Sequence, residues 1–442
     1  MSLVTTHEDA IVVSWIERHV GEVRSVSRQG RWRPAWYVEA TAKGEPVSLY
    51  VRGARGGRFP PLPLSYEAKV HRVFYEQGVK VPKLYGYIEE LPAMVMERAP
   101  GRPNMATAES DAARERLRQQ LADQMRKIHE VNPALIVAAG APDPKDPHEV
   151  TLCHYRQAEQ LYLSGDRAPS PDLEFVRGWI ERNAPPCEKP PCVIAMDAGQ
   201  FIFEGDEITA MLDFEFACVG DIHADFSALK TRDTFEAIGD LESFYRLYEE
   251  RSGEHLDRRR IDFQNIPFMA YTPLEVAHEL LYPDKTPDYY EYYRWHAYSV
   301  QAAVEDIARY TGLALAPYEL PKPTRNRYAH LSSAIAASTL NVDAQGDFSQ
   351  AMLEKIRMNA GYLAFREHFA RVFEDEYIAD VAALTGTTAT SEWDADVVLE
   401  AFVHRAGPES DAAILQVLYR KARRMMAPIE GAGGRGIGVG WN

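Results

Sequence analysis

Two aspartates and a glutamine stand close together in the stretch CVIAMDAGQFIFEGDEITAMLDFEFACVGDIHADF, residues 192–226. Asp197 precedes one short apolar run and Asp213 ends a second, with a Gly-Asp turn signal between the runs. A hairpin this short brings its two ends together, so both carboxylates and the side-chain carbonyl of Gln200 are expected to face one small volume. Phosphoryl transfer uses such a grouping, because one carboxylate accepts the proton of an attacking hydroxyl while other oxygens hold Mg²⁺ on nucleotide phosphates. The alternative is that both aspartates are ordinary turn residues.

The second half of this stretch, DFEFACVGDIHADF, resembles the DFExAxxGDPxxDL motif of the aminoglycoside phosphotransferase and choline kinase-like family. That family is a branch of the protein-kinase-like fold. The resemblance implies that Asp213 binds Mg²⁺. It also implies that Gly220, Asp221 and Asp225 shape the following turn and helix start.

The first half departs from the family motif HGDxxxxN. Ala195 and Met196 stand where the family has histidine and glycine, and Asp197 matches the catalytic aspartate, which implies a general base. The loop is two residues shorter than in the family, so the metal-binding asparagine falls on Gln200, which offers the same amide oxygen on a longer arm. These departures motivate an alternative function, a catalytically impaired pseudokinase that acts as a nucleotide- or ligand-binding protein.

A cation and an acid upstream resemble the family's phosphate-binding pair. In SLYVRGARG the strand lysine of the family is replaced by Arg52, whose planar fork can hold phosphate oxygens. Glu67 falls where the family has its helix glutamate. The alternative is a surface ion pair contributing well under ~1 kcal/mol.

Two further segments resemble nucleotide-contacting parts of the family. MVMERAPGR resembles the hinge, which implies that backbone groups of Glu97 and Ala99 meet the adenine edge. SRQGRWRPAWYV occupies the place of the nucleotide-covering loop, and its single glycine, Gly30, has arginines on both sides that either meet phosphates or form a solvated basic turn. Those arginines are Arg28, Arg31 and Arg33.

The elements that must position these residues begin with a β-rich region. Apolar spacing predicts helices over 8–20 and from Ser65 to about Gln77, the second with Ser65 as its cap. The predicted strands cover 36–40, 47–51, 79–88 and 93–97. This β-β-α-β-β order predicts a mostly antiparallel sheet with one inserted helix.

The remainder is predicted to be mainly helical. A helix is expected over 109–130, with His129 packed or capping rather than acting as a base, then the hairpin strands 201–203 and 208–212, then helices to about residue 425. The fold class is therefore α+β. The resemblance implies, more specifically, a bilobal protein-kinase-like fold with a small antiparallel-sheet N-lobe and a mainly helical C-lobe with extra C-terminal helices. The predicted domains are 1–97 (nucleotide-binding N-lobe), 98–320 (C-lobe with the catalytic hairpin and acceptor-binding helices) and 321–442 (helical extension with a flexible Gly-rich tail).

A dense aromatic cluster lies in the region where the family builds its acceptor pocket. The cluster comprises Tyr289, Tyr290, Tyr292, Tyr293, Trp295 and Tyr298, with His278, Glu279 and His296 nearby. Such rings suit an aromatic or cationic small molecule bearing a hydroxyl, and they equally suit a helix packed on its neighbours. The extension after residue 320 is open to three readings: it covers the acceptor cleft, forms a homodimer, or serves as a helical interaction surface.

Composition narrows the class of protein. The 442 residues carry 49 basic and 65 acidic side chains, a net charge of −16, which disfavours a nucleic-acid partner. The four cysteines form no CxxC pair, which indicates a reducing cytoplasm. With no signal-peptide pattern and no long apolar run, we expect a cytoplasmic protein without a membrane partner. The resemblance implies Mg²⁺ as cofactor and ATP or GTP as co-substrate.

Overall fold

The computed structural model describes residues 6–30, 33–56, 58, 62–286, 288–324, 326 and 328–431. The chain divides into two compact units, the first formed by residues 1–156 and 185–264 and the second by residues 157–184 and 265–442. The domain boundaries expected from sequence, after residues 97 and 320, separate lobes and do not coincide with the limits of these two units. Those boundaries stay predictions. The Gly-rich tail beyond residue 431 and Arg31 lie outside the described residues. Within the described part of the chain, no helix combines the length and the apolar character needed to cross a bilayer.

A five-stranded antiparallel sheet begins the first unit, in the order β1-β2-β3-β5-β4. The strands are β1 (Glu22–Arg28), β2 (Ala35–Ala42), β3 (Glu45–Gly53), β4 (Leu84–Ile88) and β5 (Ala93–Glu97). The sheet and its inserted helix agree with the prediction, except that β1 was not predicted. Lys43 and Gly44, both with positive φ, form the two-residue turn between β2 and β3.

Helix α1 (His7–His19) packs on one face of this sheet. Its buried Val12 and Ile16 share a core with Val51 of β3 and with Trp36 of β2. The indole of Trp36 also donates a 2.8 Å hydrogen bond to Asp9 of α1. Because strand side chains alternate between faces, Val51 turns towards α1 and the next residue, Arg52, turns to the opposite face.

Helix α2 (Leu64–Glu76) contributes to the core on that opposite face. Leu64 and Ala68 form a core with Met94 and Met96 of β5. The helix begins at Leu64 and has no side-chain cap, so the predicted capping role of Ser65 is wrong. Glu67 lies in the first turn of α2, where a carboxylate is favoured by the helix dipole.

The rest of the chain is mainly helical, as predicted, with four short strands. The helices are α3 (Asp111–His129), α4 (Pro133–Ala139), α5 (Pro147–Ser164), α6 (Pro171–Asn183), α7 (His223–Arg232), α8 (Leu241–Ser252), α9 (Arg258–Val276), α10 (Tyr289–Thr311), α11 (Ala329–Thr339), α12 (Asp347–Thr385), α13 (Glu392–Val403) and α14 (Asp411–Gly431). The strands are β6 (Cys192–Ile194), β7 (Phe201–Glu204), β8 (Glu207–Met211) and β9 (Cys218–Gly220). Short 3₁₀ turns span Met105–Thr107, Glu279–Leu281 and Pro408–Ser410.

Within the second unit, α10 and α12 both pack on α14. Ala297 of α10 forms a core with Met426 and Ile429 of α14. A buried ion pair network adds to this packing, since the ammonium of Lys421 lies 2.8 Å from Asp396 and 3.2 Å from Asp172. The helices after residue 320 are therefore an integral part of the second unit.

Candidate active site

The hairpin of β7 and β8 brings its two ends together, as the sequence predicts. The backbone N–H of Leu212 donates a 3.0 Å bond to the carbonyl of Gln200, which closes the base of the hairpin. The side-chain amide of Gln200 then donates to both aspartates, at 2.5 Å to Asp197 and 3.1 Å to Asp213. The three side chains expected to converge therefore share one hydrogen-bonded cluster.

A buried carboxylate holds the loop that carries Asp197. Asp225 at the start of α7 accepts hydrogen bonds from the backbone N–H groups of Ala195, at 3.0 Å, and Met196, at 2.7 Å. The same carboxylate lies 3.0 Å from Nε2 of His129, whose Nδ1 is 2.7 Å from the hydroxyl of Tyr248. His129 is thus a packed residue in the support of this loop, as expected.

Left-handed backbone shapes both ends of the hairpin. Met196 has φ +71°, Gly199 has φ +88° and Asp213 has φ +64°. A β-carbon on Gly199 would lie 2.6 Å from Leu229, so the close approach of α7 also requires glycine there. Aspartate tolerates this region better than most residues, which suits it to the position after β8.

Helix α2 anchors the segment that follows Asp213. The ring of Phe214 packs edge-on against Phe74, with centroids 4.8 Å apart. The hydroxyl of Tyr66 donates a 2.5 Å bond to the carbonyl of Ala217. The helix that presents Glu67 therefore also fixes the backbone next to Asp213.

Arg52 of β3 joins the cluster from the sheet. Its guanidinium bonds to Asp213, donates to Glu67 at 3.2 Å and reaches Glu215 at 3.4 Å. Burial alone would lower the pKa of Arg52, but the nearby carboxylates outweigh it and the pKa is raised. The guanidinium therefore stays charged among three acids.

Two more arginines neutralise Glu215. Arg33 donates to one carboxylate oxygen at 2.6 Å, and Arg55 bonds to the other. Burial opposes ionisation of Glu215, yet these arginines and Arg52 hold its pKa below the usual range. The pKa of Asp213 is likewise lowered against the effect of burial, chiefly by Arg52. Sequence reasoning assigned no role to Glu215 or Arg55, although both stand inside the quoted motifs.

The acidic cluster has the composition of a site for a hard cation. Carboxylate oxygens of Glu67, Asp213 and Glu215 lie within 4.8 Å of one another. An all-oxygen donor set suits Mg²⁺. Gln200 presents its amide N–H group to Asp213 here, so its oxygen can be a ligand only when the amide is turned. These residues fit a Mg²⁺ ion chemically, and in this structure they are neutralised by Arg52, with Arg33 and Arg55 on Glu215.

Asp197 lies beside an arginine that the sequence did not single out. Arg232 at the end of α7 donates to it at 2.6 Å and is itself held by Glu236 at 3.0 Å. Burial raises the pKa of Asp197, and Arg232 offsets this effect only in part. No local pattern marks Arg232, because it is distant from Asp197 in the chain and reaches it through the fold.

The remaining predicted nucleotide contacts lie on the sheet and its loops. Glu97 ends β5, and its backbone N–H donates a 2.9 Å bond to the carbonyl of Lys83. Ala99 is half-buried in the segment that follows, and Gly30 lies between β1 and β2. Arg28 pairs with Glu8 of α1.

The motif residues after Asp213 have structural contacts. Asp221 accepts a hydrogen bond from the backbone N–H of His223 at 3.1 Å and pairs with Arg260 at 2.9 Å. A β-carbon on Gly220 would lie 3.0 Å from Ile194 of the paired strand β6, so β9 packs closely there. Together with Asp225, these residues shape the turn as the resemblance implies.

The aromatic cluster, considered within the second unit alone, is partly accounted for by packing. Tyr293 shares a hydrogen bond of 3.0 Å with Tyr362 of α12, and both rings pack on the core at Ala297. Tyr298 packs on the same core. Tyr292 stacks on Trp295 with centroids 5.4 Å apart. For Tyr293 and Tyr298 the helix-packing interpretation is thus the stronger one.

Comparison with known proteins assigns the class. Residues 27–263 match the model of the phosphotransferase enzyme family, which covers more than half of the chain, so this chain belongs to that family. A comparison with curated protein sequences gave no match.

One solved structure shows the fold, and two more have some similarity to this chain. A candidate aminoglycoside phosphotransferase from Ralstonia eutropha is 16% identical, with a TM-score of 0.50, and the match covers 69% of this chain and 98% of that one. The choline kinase of Streptococcus pneumoniae is 16% identical, with a TM-score of 0.49 and coverage of 69% and 100%. The GDP complex of aminoglycoside 2′-phosphotransferase-IIIa is 18% identical, with a TM-score of 0.47 and coverage of 69% and 98%.

These findings confirm the family and the protein-kinase-like α+β fold expected from the motifs. The first unit carries the antiparallel sheet, and the remainder of the chain is mostly helical. At the level of class, the chain is a member of this phosphotransferase family.

Proposed function

We propose that this protein transfers the γ-phosphoryl group of ATP or GTP to a hydroxyl of a small molecule, with Mg²⁺ as cofactor. The observation that carries the proposal is the shared contact of Asp197 and Asp213 with Gln200, beside the guanidinium of Arg52. This grouping would supply a base, metal ligands and a phosphate-binding cation within one partly buried cluster.

Asp197 is proposed as the general base. Its carboxylate takes the proton of the acceptor hydroxyl while the hydroxyl oxygen forms a bond to the γ-phosphorus and the bond to the bridging β,γ-oxygen breaks. The nucleoside diphosphate then leaves. Arg232 and Gln200 orient the carboxylate of Asp197. The main contribution of Asp197 would therefore be to position the acceptor hydroxyl rather than to act as a strong base.

Asp213 and Gln200 are proposed to hold Mg²⁺, with Glu67 and Glu215 close enough to contribute. Bound Mg²⁺ would neutralise charge on the phosphates during transfer. Arg52 would exchange its contact with Asp213 for phosphate oxygens, with Glu67 keeping it in place. Backbone groups of Glu97 and Ala99 would meet the base, and the loop at Gly30 would cover the phosphates.

One variant and a turnover screen test this proposal. Nucleotide consumption is measured with ATP and GTP over a panel of small alcohols, including aromatic and cationic ones. Asp197→Asn is expected to lose transfer by at least ~100-fold while keeping nucleotide binding, since a base serves mainly the acceptor. Wild-type turnover in Asp197→Asn would contradict the assigned role.

A second candidate function is a pseudokinase that binds nucleotide or ligand without transfer. It is favoured by one observation: both oxygens of Asp197 already accept hydrogen bonds, from Gln200 and Arg232, in a loop that has Ala195 and Met196 in place of the family's histidine and glycine. Tight nucleotide binding in a thermal-shift assay, with no transfer to any acceptor in the panel, would favour this candidate.

A further inference from the structure

Arg33 and Arg55 are two arginines of the first unit to which the proposed function gives no role. Their side chains are deeply buried, with 2% and 4% of the surface exposed. Arg33 donates at 2.6 Å to one carboxylate oxygen of Glu215, and Arg55 bonds to the other oxygen. The guanidinium of Arg52 lies 3.4 Å from the oxygen that Arg33 contacts. Three guanidinium groups therefore surround one carboxylate.

The end of the β2–β3 pair brings these three arginines together. Arg52 is next to Gly53, the last residue of β3. The backbone N–H of Gly53 donates a 2.8 Å bond to the carbonyl of Pro34, and a β-carbon on Gly53 would lie 2.9 Å from Pro34. The two chain segments are thus held side by side just where Arg33 precedes Pro34 and Arg55 follows Gly53 by two residues. The backbone of the sheet therefore fixes where all three arginines begin.

The positive charge around Glu215 exceeds what one carboxylate requires. One cation neutralises one carboxylate, yet Arg33 and Arg55 both bond to Glu215 and Arg52 lies close to it. Like charges this close repel each other, most strongly where burial excludes water. The arrangement is tolerated because the acidic cluster contains two further carboxylates. Three arginines thus balance three acids, and the balance lasts only while the carboxylates remain available to the arginines.

Metal binding would change this balance. In the proposed function a Mg²⁺ ion takes carboxylate oxygens of the acidic cluster, and it adds two positive charges beside the arginines. An anion that enters with the metal must then give the arginines new partners. The triphosphate of a nucleotide has the charge to do so, and guanidinium groups bind phosphate oxygens through paired N–H bonds.

On the basis of the function proposed above, we propose that Arg33 and Arg55 are phosphate-binding residues. When nucleotide and Mg²⁺ bind, both arginines leave Glu215 for oxygens of the triphosphate, which Arg52 also contacts. Arg33 and Arg52 contact the same oxygen of Glu215, so a phosphate group in place of that carboxylate lies within reach of both. The three arginines then hold the triphosphate from the end of the sheet.

Calorimetric titration of the full-length protein with ATP and GTP at saturating Mg²⁺ tests this proposal. Arg33→Gln and Arg55→Gln should each weaken binding of the preferred nucleotide by at least ~10-fold, because each removes a charged hydrogen-bond donor from the triphosphate. Arg24→Gln is the matched control, since Arg24 is 56% exposed on β1 and pairs with Glu22, and it should leave the affinity unchanged. Unchanged nucleotide affinity in either Arg33→Gln or Arg55→Gln would overturn the proposal.

A second variant, Glu215→Gln, separates phosphate binding from neutralisation of Glu215. It removes the acid that competes with phosphate for both arginines, so the nucleotide without Mg²⁺ should bind at least ~10-fold more tightly than to the wild type. Adding Arg55→Gln should reverse this gain, and this double variant leaves no acid at position 215 without its partner. Arginines that only neutralise Glu215 predict no gain. Absence of the gain, or a gain that survives Arg55→Gln, would overturn the proposal.

The wild type distinguishes failure of this proposal from failure of the proposed function. A wild type that binds neither ATP nor GTP, with or without Mg²⁺, would contradict the proposed function and this proposal together. Nucleotide binding by the wild type that the arginine variants leave unchanged would contradict the phosphate-binding role alone.

Discussion

At the scale of single residues, the acidic side chains of the candidate site are neutralised by arginines. The carboxylates of Glu67, Asp213 and Glu215 face Arg33, Arg52 and Arg55, so each buried acid has a cationic partner. A buried charge that loses its partner destabilises a protein by about 3–5 kcal/mol. Metal and nucleotide should therefore bind together, because phosphate oxygens give the arginines new partners when Mg²⁺ takes the carboxylates.

Arg232 is expected to set the pH range of turnover. Asp197 accepts a proton only when it is ionised, and burial raises its pKa, so activity should fall on the acidic side at a higher pH than for an exposed carboxylate. Arg232→Gln removes the cation that opposes this rise and should move the acidic limb of the kcat/KM profile upward by roughly one pH unit.

The conservative variant Arg232→Lys keeps a positive charge near Asp197 and should move the acidic limb less than Arg232→Gln does. An acidic limb that stays in place in both variants would show that Asp197 is not the group whose ionisation controls turnover.

The lowered pKa of Glu249 leads to a prediction about the pH dependence of stability. Arg258 donates to it at 2.7 Å, and the backbone N–H of Leu256 donates at 2.8 Å. The hydrogen bond from Arg258 lowers the pKa of Glu249 to about 2. Its contribution is thus present above the unfolded-state pKa near 4.5 and is lost as the pH falls towards 2.

Glu249→Gln should therefore cost about 1 kcal/mol in the free energy of unfolding at pH 7, after allowance for solvent screening, and less at each step from pH 5 to pH 3. Urea unfolding of both proteins measures the difference. A difference in the free energy of unfolding that does not change with pH would show that ionisation of Glu249 is not linked to folding.

At the scale of elements, the hairpin is attached to the segment after β5. Arg102 and Phe203 exchange two backbone hydrogen bonds of 3.0 Å. Gly101 has φ +106°, and a β-carbon there would lie 2.1 Å from the carbonyl oxygen of Phe203. The proposed hinge and the proposed catalytic hairpin therefore share one backbone contact.

Gly101→Ala should break this contact, lower the free energy of unfolding by about 2 kcal/mol and raise the KM for nucleotide. Gly205→Ala is the matched control, because Gly205 has φ +60° with no atom within 4 Å of an added β-carbon. It should cost about 1 kcal/mol or less and leave KM unchanged. Equal effects of the two variants on KM would contradict the coupling.

Much of this arrangement could be predicted from sequence, because its signals are local. The turn at residues 205–206 and the apolar runs beside it predict the hairpin, and the hairpin alone brings Asp197 and Asp213 together. Arg232 could not be predicted, because its approach to Asp197 depends on how α7 packs. Strand β1 was missed because its alternation is mostly polar, with only Val23 fully buried.

At the scale of the whole molecule, the helices after residue 320 complete the second unit. Truncation after residue 320 removes α14 and exposes the α10 surface that packs on Met426 and Ile429. We expect the truncated chain to be aggregated or to melt at least ~10 °C below the full-length protein, since a whole core layer is lost. Circular dichroism melts measure this. A cooperative melt within a few degrees of the full-length value would show that the extension is dispensable for folding.

The magnesium dependence of nucleotide binding is the sharpest test of the proposed site. Calorimetric titration of ATP and GTP, with and without Mg²⁺, is carried out on the wild type and on Asp213→Asn, whose asparagine tolerates the positive φ. If Asp213 holds Mg²⁺, the ion should tighten binding of at least one nucleotide by at least ~10-fold in the wild type, and Asp213→Asn should lose most of this gain. Binding that is indifferent to Mg²⁺ in the wild type, or an undiminished gain in Asp213→Asn, would contradict it.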